Sequence, residues 1–318
     1  MRRLAWLVVL MVGLLCLARP ALADVPVELV TGLPLGQAAY GLAIGPDGLL
    51  YVGDIGGPQG TIYVFTPTGQ LRDRIVVPPG PTGMVALRGM VVDGQGNLYV
   101  ADLANGERGR GRVIRVSARG RQSVLAAALS GPTGLALDRD GVVYVANALD
   151  GTIRWIGPDG TSAVFVDDGL LAPRGPGELG ASGMVFANDG SALYISNPST
   201  DRLLRLAINA DGSAGRLTLL ADGGELRSGV RSAGLLEGPE GLAVDGDGNV
   251  LVAARSDEID LISPRGRVLG RLPSGGGSVF SGPTTLALSG RYVYVANLGL
   301  KTGLSFIARY PLAALLIG

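Results

Sequence analysis

Apolar and polar positions along the chain fall into one recurring phrase. A short apolar run meets a turn rich in Gly and Asp, and a second apolar run then closes on Tyr-Val-Ala-Asp/Asn or a near variant. Six copies can be written out: YGLAIGPDGLLYVGD (40–54), RGMVVDGQGNLYVAD (88–102), TGLALDRDGVVYVAN (133–147), SGMVFANDGSALYISN (182–197), EGLAVDGDGNVLVAA (240–254) and TTLALSGRYVYVAN (284–297). Their second positions are Gly41, Gly89, Gly134, Gly183, Gly241 and Thr285, spaced by 48, 45, 49, 58 and 44 residues. That spacing matches a four-stranded propeller blade of ~40–50 residues. Each copy runs on into a third strand, a tight turn and usually a fourth strand, as in TIYVF, PTG and QLRDRIVV (61–77). Short β-rich runs bounded by Gly, Asp and Pro are hairpin signals, and no amphipathic helix interrupts them. The pattern predicts an all-β, six-bladed β-propeller with four-stranded blades.

The sixth copy ends near Pro311 without a clear fourth strand, while VPVELV (25–30) stands alone before the first copy. Placed beside the last blade, that segment supplies the missing outer strand and closes the ring, which protects sheet edges. The apolar tail LAALLIG (312–318) is expected to pack on the closing blade.

Residues 1–23 read as a signal peptide. Arg2 and Arg3 precede an apolar run from Leu4 to Leu17, and Ala21-Leu22-Ala23 offers a small-x-small cleavage site before Asp24. The expected product, 24–318, is a single propeller domain, secreted or periplasmic. Cleavage removes Cys16, the only cysteine, together with Arg2, Arg3 and Arg19, which leaves 24 basic against 27 acidic residues, or −3. No disulfide is then available, and no basic surface for nucleic acid or for an anionic membrane is expected. A closed ring needs no partner to cover its edges, so a monomer is expected.

The chain has no His and one Lys, Lys301. Ser-His-Asp and Cys-His nucleophiles and ordinary His/Cys zinc sites are thereby excluded. Any chemistry falls to carboxylates, Arg, hydroxyls, amides or a hard cation on oxygen ligands. DGQGN (93–97), DRDG (138–141) and DGDGN (245–249) resemble calcium loops, but the position twelve residues into the last of these is Ser256 rather than Glu. They read as hairpin turns.

Blade topology puts the first two strands' hairpin turns on one face and the blade-to-blade connections on the other. The connections are longer, notably 167–181 and 222–239. Variable loops on a rigid scaffold usually carry function, so the site is expected on that face. Two residue sets share a register there. Tyr40, Arg88, Thr133, Ser182, Glu240 and Thr284 open the inner strands and form a candidate binding ring. Asp54, Asp102, Asn147, Asn197, Ala254 and Asn297 end the second strands, where Asp and Asn hydrogen-bond neighbouring turns. Arg88 and Glu240 belong to opposite blades. Either they pair across the channel and plug it, or Arg88 holds an anionic or carbonyl group while Glu240 binds a cation or takes a proton.

The stretches 181–215 and 239–253 resemble the gluconolactonase/regucalcin/luciferin-regenerating family, with NHL-like YVAD endings. The resemblance implies a hydrolase for lactones or related esters that uses one divalent cation, calcium first, at the channel mouth. The family's first-, fourth- and fifth-blade ligands fall on Tyr40, Ser182 and Glu240, of which Glu240 alone keeps a carboxylate. The expected set is Glu240 as the base that activates water, with Glu240, Ser182 and, from outside the implied ligands, Asn197 as metal ligands. The cation reading survives if further oxygens such as Asn197 or Asp102 reach the axis, and fails if a guanidinium fills it. The alternative is a non-catalytic propeller that binds a small molecule, glycan or protein at its mouth. Strictosidine-synthase-like lyases share the architecture and are a third reading.

Overall fold

The repeats fold into twenty-four strands among the described residues, grouped as six separate four-stranded antiparallel sheets. The computed structural model describes residues 27–34, 36–55, 59–224, 235–272 and 280–316. The signal-peptide expectation and residues 225–234 of the second long connection lie outside these.

Blade one is β2 (Ala39–Ile44), β3 (Leu50–Asp54), β4 (Gly60–Phe65) and β5 (Leu71–Val77). Blade two is β6 (Leu87–Val92), β7 (Leu98–Asp102), β8 (Gly111–Val116) and β9 (Gln122–Leu129). Blade three is β10 (Pro132–Leu137), β11 (Val143–Asn147), β12 (Thr152–Ile156) and β13 (Ser162–Asp167). Blade four is β14 (Met184–Phe186), β15 (Ala192–Asn197), β16 (Arg202–Ile208) and β17 (Ala214–Asp222). Blade five is β18 (Pro239–Val244), β19 (Val250–Ala254), β20 (Glu258–Ile262) and β21 (Val268–Leu272). Blade six joins β22 (Pro283–Ser289), β23 (Tyr292–Asn297) and β24 (Phe306–Pro311) to the N-terminal β1 (Glu28–Gly32). The expected closure is therefore present: β1 pairs antiparallel with β24, Glu28 opposite Arg309, and the two side chains form an ion pair at 2.7 Å.

Each sheet is covered on both faces by its neighbours, which explains why the repeats are apolar at nearly every inner position. Among the described residues, six hydrophobic clusters lie between successive blades. One joins Ala43 and Ile62 of blade one to Met90 and Val100 of blade two, and another joins Tyr99 and Ala101 of blade two to Leu135 and Val145 of blade three. In β7 every residue is buried, whereas the outer β5 is mostly exposed. The tail's short 3-10 segment Leu312–Leu316 places Leu315 in the cluster that Val293, Val295 and Tyr310 of the closing blade share with Leu251, Ile259 and Leu261 of blade five.

The glycine in the second position of each copy has a steric cause. A Cβ added to Gly41, Gly89, Gly134, Gly183 or Gly241 would collide with the backbone carbonyl of the next blade's ring residue, respectively Arg88, Thr133, Ser182, Glu240 and Thr284. At the closure the sixth copy carries Thr285, whose hydroxyl donates to Tyr40 O at 2.7 Å. The inner strands thus crowd at one end of the channel, and the ring residues meet there.

The Asp-Gly turns are hairpin turns. Asp93 Oδ1 accepts from the N–H groups of Gln95 and Asn97, and Asp245 Oδ1 from those of Asp247 and Asn249. The phenols of Tyr51, Tyr99 and Tyr144 reach back to Asp47, Asp93 and Asp138.

Candidate functional site

Glu240 stands at the centre of the crowded end. It is the second residue of β18, and the shared register carries its buried side chain to the axis. Three neighbours donate to its carboxylate. Arg255 gives Nε and Nη2 to Oε1 at 2.9 and 2.6 Å, Tyr40 gives its phenol to Oε2 at 2.6 Å, and Ser182 its hydroxyl to Oε2 at 3.2 Å. Tyr40 reaches Glu240 across the sixth blade, which is open to it because Thr284 is small and turns its own hydroxyl to Tyr40 O at 2.8 Å. Burial first, and then the Glu240 charge, push the Tyr40 phenol well above its ordinary range, so it remains a donor at physiological pH. Burial opposes the Arg255 charge, but the Glu240 carboxylate outweighs it and holds the guanidinium ionised.

Arg88 does not pair with Glu240. Its guanidinium carbon lies 4.0 Å from the centre of the Tyr40 ring, a cation–π stack. Its Nε is buried without a hydrogen-bond partner, and it forms no ion pair with the described residues. Glu240 is thus held by one guanidinium, Arg255, which Asp201 also influences, while a second, Arg88, stands apart on Tyr40.

Of the expected ring, Tyr40, Ser182, Glu240 and Arg88 come together. Thr133 and Thr284 instead donate to backbone: Thr133 to Ala181 O at 3.1 Å, Thr284 to Tyr40 O and Ala296 O. The second set mostly pins loops. Asp102 Oδ1 accepts from Ala86 N and Ala104 N, and Asn297 Oδ1 from Ser281 N. Asn197 does not turn to Glu240. Its amide donates to Leu170 O and Ala172 O, fastening the connection at 167–181, and its Oδ1 accepts from Ser199. Arg255 was missed by register alone. Its signal is that the fifth copy ends Ala-Ala-Arg where the others end in Asp or Asn.

The residues present do not fit a hard cation, which wants several oxygens and usually more than one carboxylate. Both Glu240 oxygens already accept from cationic or hydroxyl donors, and Asp102 is engaged with Arg112 at 2.8 Å. Among the described residues no group of three or more Asp, Glu, His or Cys is placed to hold a metal.

No protein-family model matches the chain, and no curated protein matches it in sequence. Solved structures do match in shape. A gluconolactonase from Xanthomonas campestris superposes with a TM-score of 0.66 at 17% identity, covering 91% of this chain and 91% of that one. A luciferin-regenerating enzyme gives 0.65 at 15% identity, over 90% and 95%. A streptogramin B lyase gives 0.60 at 14%, over 90% and 87%. One architecture serves both hydrolase and lyase names here, so the likeness speaks to fold rather than reaction. With six closed blades, a polar channel mouth and these neighbours, the chain has the six-bladed fold of the gluconolactonase and luciferin-regenerating-enzyme propellers.

Proposed function

We propose that this gluconolactonase-like propeller takes a small polar ligand at its mouth, gripping an anionic or carbonyl group with Arg88. The observation that carries this is the state of Arg88: half-buried, stacked on Tyr40, and, among the described residues, with Nε unpartnered and no carboxylate on it. Arg255 is held by Glu240 and also feels the Asp201 charge, whereas Arg88 forms no ion pair with the described residues. A guanidinium offers a planar fork to a carboxylate or carbonyl, and Tyr40 holds that fork in place.

A lactone or ester hydrolase is the second reading. It is favoured by the retained Glu240 and by the names of the structural neighbours. In this chain it would run without a cation. Arg88 would hold the carbonyl oxygen, and Glu240 would accept the proton of an attacking water after releasing Ser182 or Tyr40. The calcium-dependent version would require a cation to displace Arg255 from Glu240. Export to the periplasm or exterior as a monomer rests on the leader pattern, and the N-terminal residue of the mature protein tests it, with Asp24 expected.

The deciding experiment is a thermal-shift screen of sugar acids, their lactones and the matching neutral sugars, after chelation and again with added Ca²⁺. A ligand at a hundred times its dissociation constant adds ~2.7 kcal/mol of stability. Acids or lactones should stabilise the wild type and fail to stabilise Arg88→Ala. Equal shifts with neutral sugars, or shifts that survive Arg88→Ala, would sink the proposal. A Ca²⁺ shift lost in Glu240→Gln would restore the cation reading.

A further inference from the structure

The channel behind Glu240 is a second compartment. A cavity of about 480 Å³ runs along the inner strands and is bounded toward the mouth by Ser182, Glu240 and Thr284. Tyr40, Arg88 and Arg255 do not line it. Its lining stops at this layer, where Tyr40 and Ser182 bond to Glu240. The volume falls within the roughly 300–1,000 Å³ of small-molecule sites.

Its other end has a different chemistry. Four residues after each mouth residue, the copies place Ile44, Val92, Leu137, Phe186, Val244 and Leu288. All six are half-buried and line the cavity, and each packs on the blade before it, as Val92 does on blade one and Val244 on blade four. The glycines bring the inner strands into close approach near Glu240, whereas at the hairpin-turn face these larger side chains stand between them. The compartment is therefore a cone, blind at Glu240 and rimmed with hydrocarbon. Among the described residues, polar side chains line it only near the blind end, at Ser182, Glu240, Thr284 and Thr285. Each inner strand is the end of its sheet and turns a free backbone edge to the axis.

We infer that this cone is a binding site, entered from the hairpin-turn face, for a neutral amphipathic small molecule. An apolar body would lie against the rim, where removing hydrocarbon surface from water is favourable. Hydroxyl, amide or carbonyl groups would meet the strand edges and the blind end. The occupant is neutral because the carboxylate bounding the compartment already has its counter-ion, Arg255, on the far side. Nothing in this site depends on Arg88.

The test uses the full mature protein and the neutral fluorophore N-phenyl-1-naphthylamine, with fluorescence read against probe concentration. Saturable binding of one probe per chain is expected. Val92→Trp with Val244→Trp, on opposite blades, should weaken it at least tenfold, while Arg88→Ala changes it less than twofold. Thermal melts verify that each variant folds. If the double variant does not, Val92→Asn replaces it and should weaken binding at least threefold. Absence of saturable binding, binding indifferent to the rim variants, or binding lost in Arg88→Ala each overturns the inference.

Discussion

Blades two and five are built on the same register yet solve the same problem with opposite chemistry. In blade two, Asp102 ends the second strand, sits opposite Arg112 on β8, and caps Ala86 N just before the inner strand. In blade five the corresponding positions hold Ala254 and Glu258, so the acid has moved one strand outward. Asp260 occupies the place of the buried Ile114, and Arg271 on β21 faces it. The inner strand's lead-in is still pinned, but by other carboxylates: Asp201 of blade four accepts from Gly238 N at 2.9 Å, and Asp260 from Leu236 N at 2.8 Å. Ala254 also leaves Arg255 as the next side chain, which turns to Glu240. The blade that breaks the repeat's rule is the blade that carries the site.

The largest effect is expected from the regular member of the pair. Asp102→Ala removes two backbone caps and strands the nearly buried Arg112, so urea unfolding should show a loss of about 3–5 kcal/mol. A loss below ~1 kcal/mol would mean that the capping acid does not hold the regular blades together.

Next comes the pH profile of blade five. Asp260 is fully buried and its carboxyl is raised from 3.8 to about 7, by burial first and then by the nearby Glu258 charge, against the opposing Leu236 N–H and Arg271. Burial likewise raises Glu258. A folded value above the unfolded one means the contribution is fully present below the ordinary carboxylate range and is lost as pH rises through about 7. The urea midpoint should therefore fall between pH 5 and pH 8.5, equivalent to a few kcal/mol. Asp260→Asn keeps an acceptor for Leu236 N and should flatten that fall. An unchanged slope in the variant would assign it elsewhere.

Glu240→Gln should cost less, about 1–2 kcal/mol in urea, because Arg255 is half-exposed and water replaces part of what it loses. A neutral cost would leave the mouth's hydrogen bonds as followers of the fold rather than contributors to it.

These contrasts also mark how far the sequence could be read. The six copies, the closure by β1 and the shared end occupied by Tyr40, Arg88, Ser182 and Glu240 follow from periodicity, because a strand register propagates without error across short turns. Side-chain partnership does not propagate in that way. Arg88 and Glu240 are opposite in the ring, but Tyr40 is long enough to intervene, and Arg255 is nearer to Glu240 along its own blade. Asn197 fits either a loop partner or an oxygen ligand in the sequence, because its partners, Leu170 O and Ala172 O, belong to a connection whose path no pattern predicts. The cone behind Glu240 was spelled out in the fourth residue after each ring position, though apolar residues at a strand end read simply as core.

The smallest effect bears most directly on whether blade five lost its cap or replaced it. Ala254→Asn restores the residue type that the other blades use. In the wild type the N–H it would serve, Gly238 N, already belongs to Asp201, and Ala254 is fully buried. The new side chain should then give no gain and a small packing loss, about 1 kcal/mol or less. In an Asp201→Ala background the same Gly238 N–H is unserved, and the amide at 254 should recover about 0.5–1.5 kcal/mol. Asp201 adopts a left-handed backbone, φ 55°, so alanine there carries its own strain, but that cost is common to both arms of the cycle and cancels. A positive coupling would mean that the cap was handed to the neighbouring blade, which released position 254 and let Arg255 turn to Glu240. Zero coupling would mean that the lead-in to β18 is held by Asp260 alone, and that Asp201 serves the 201 turn rather than the site.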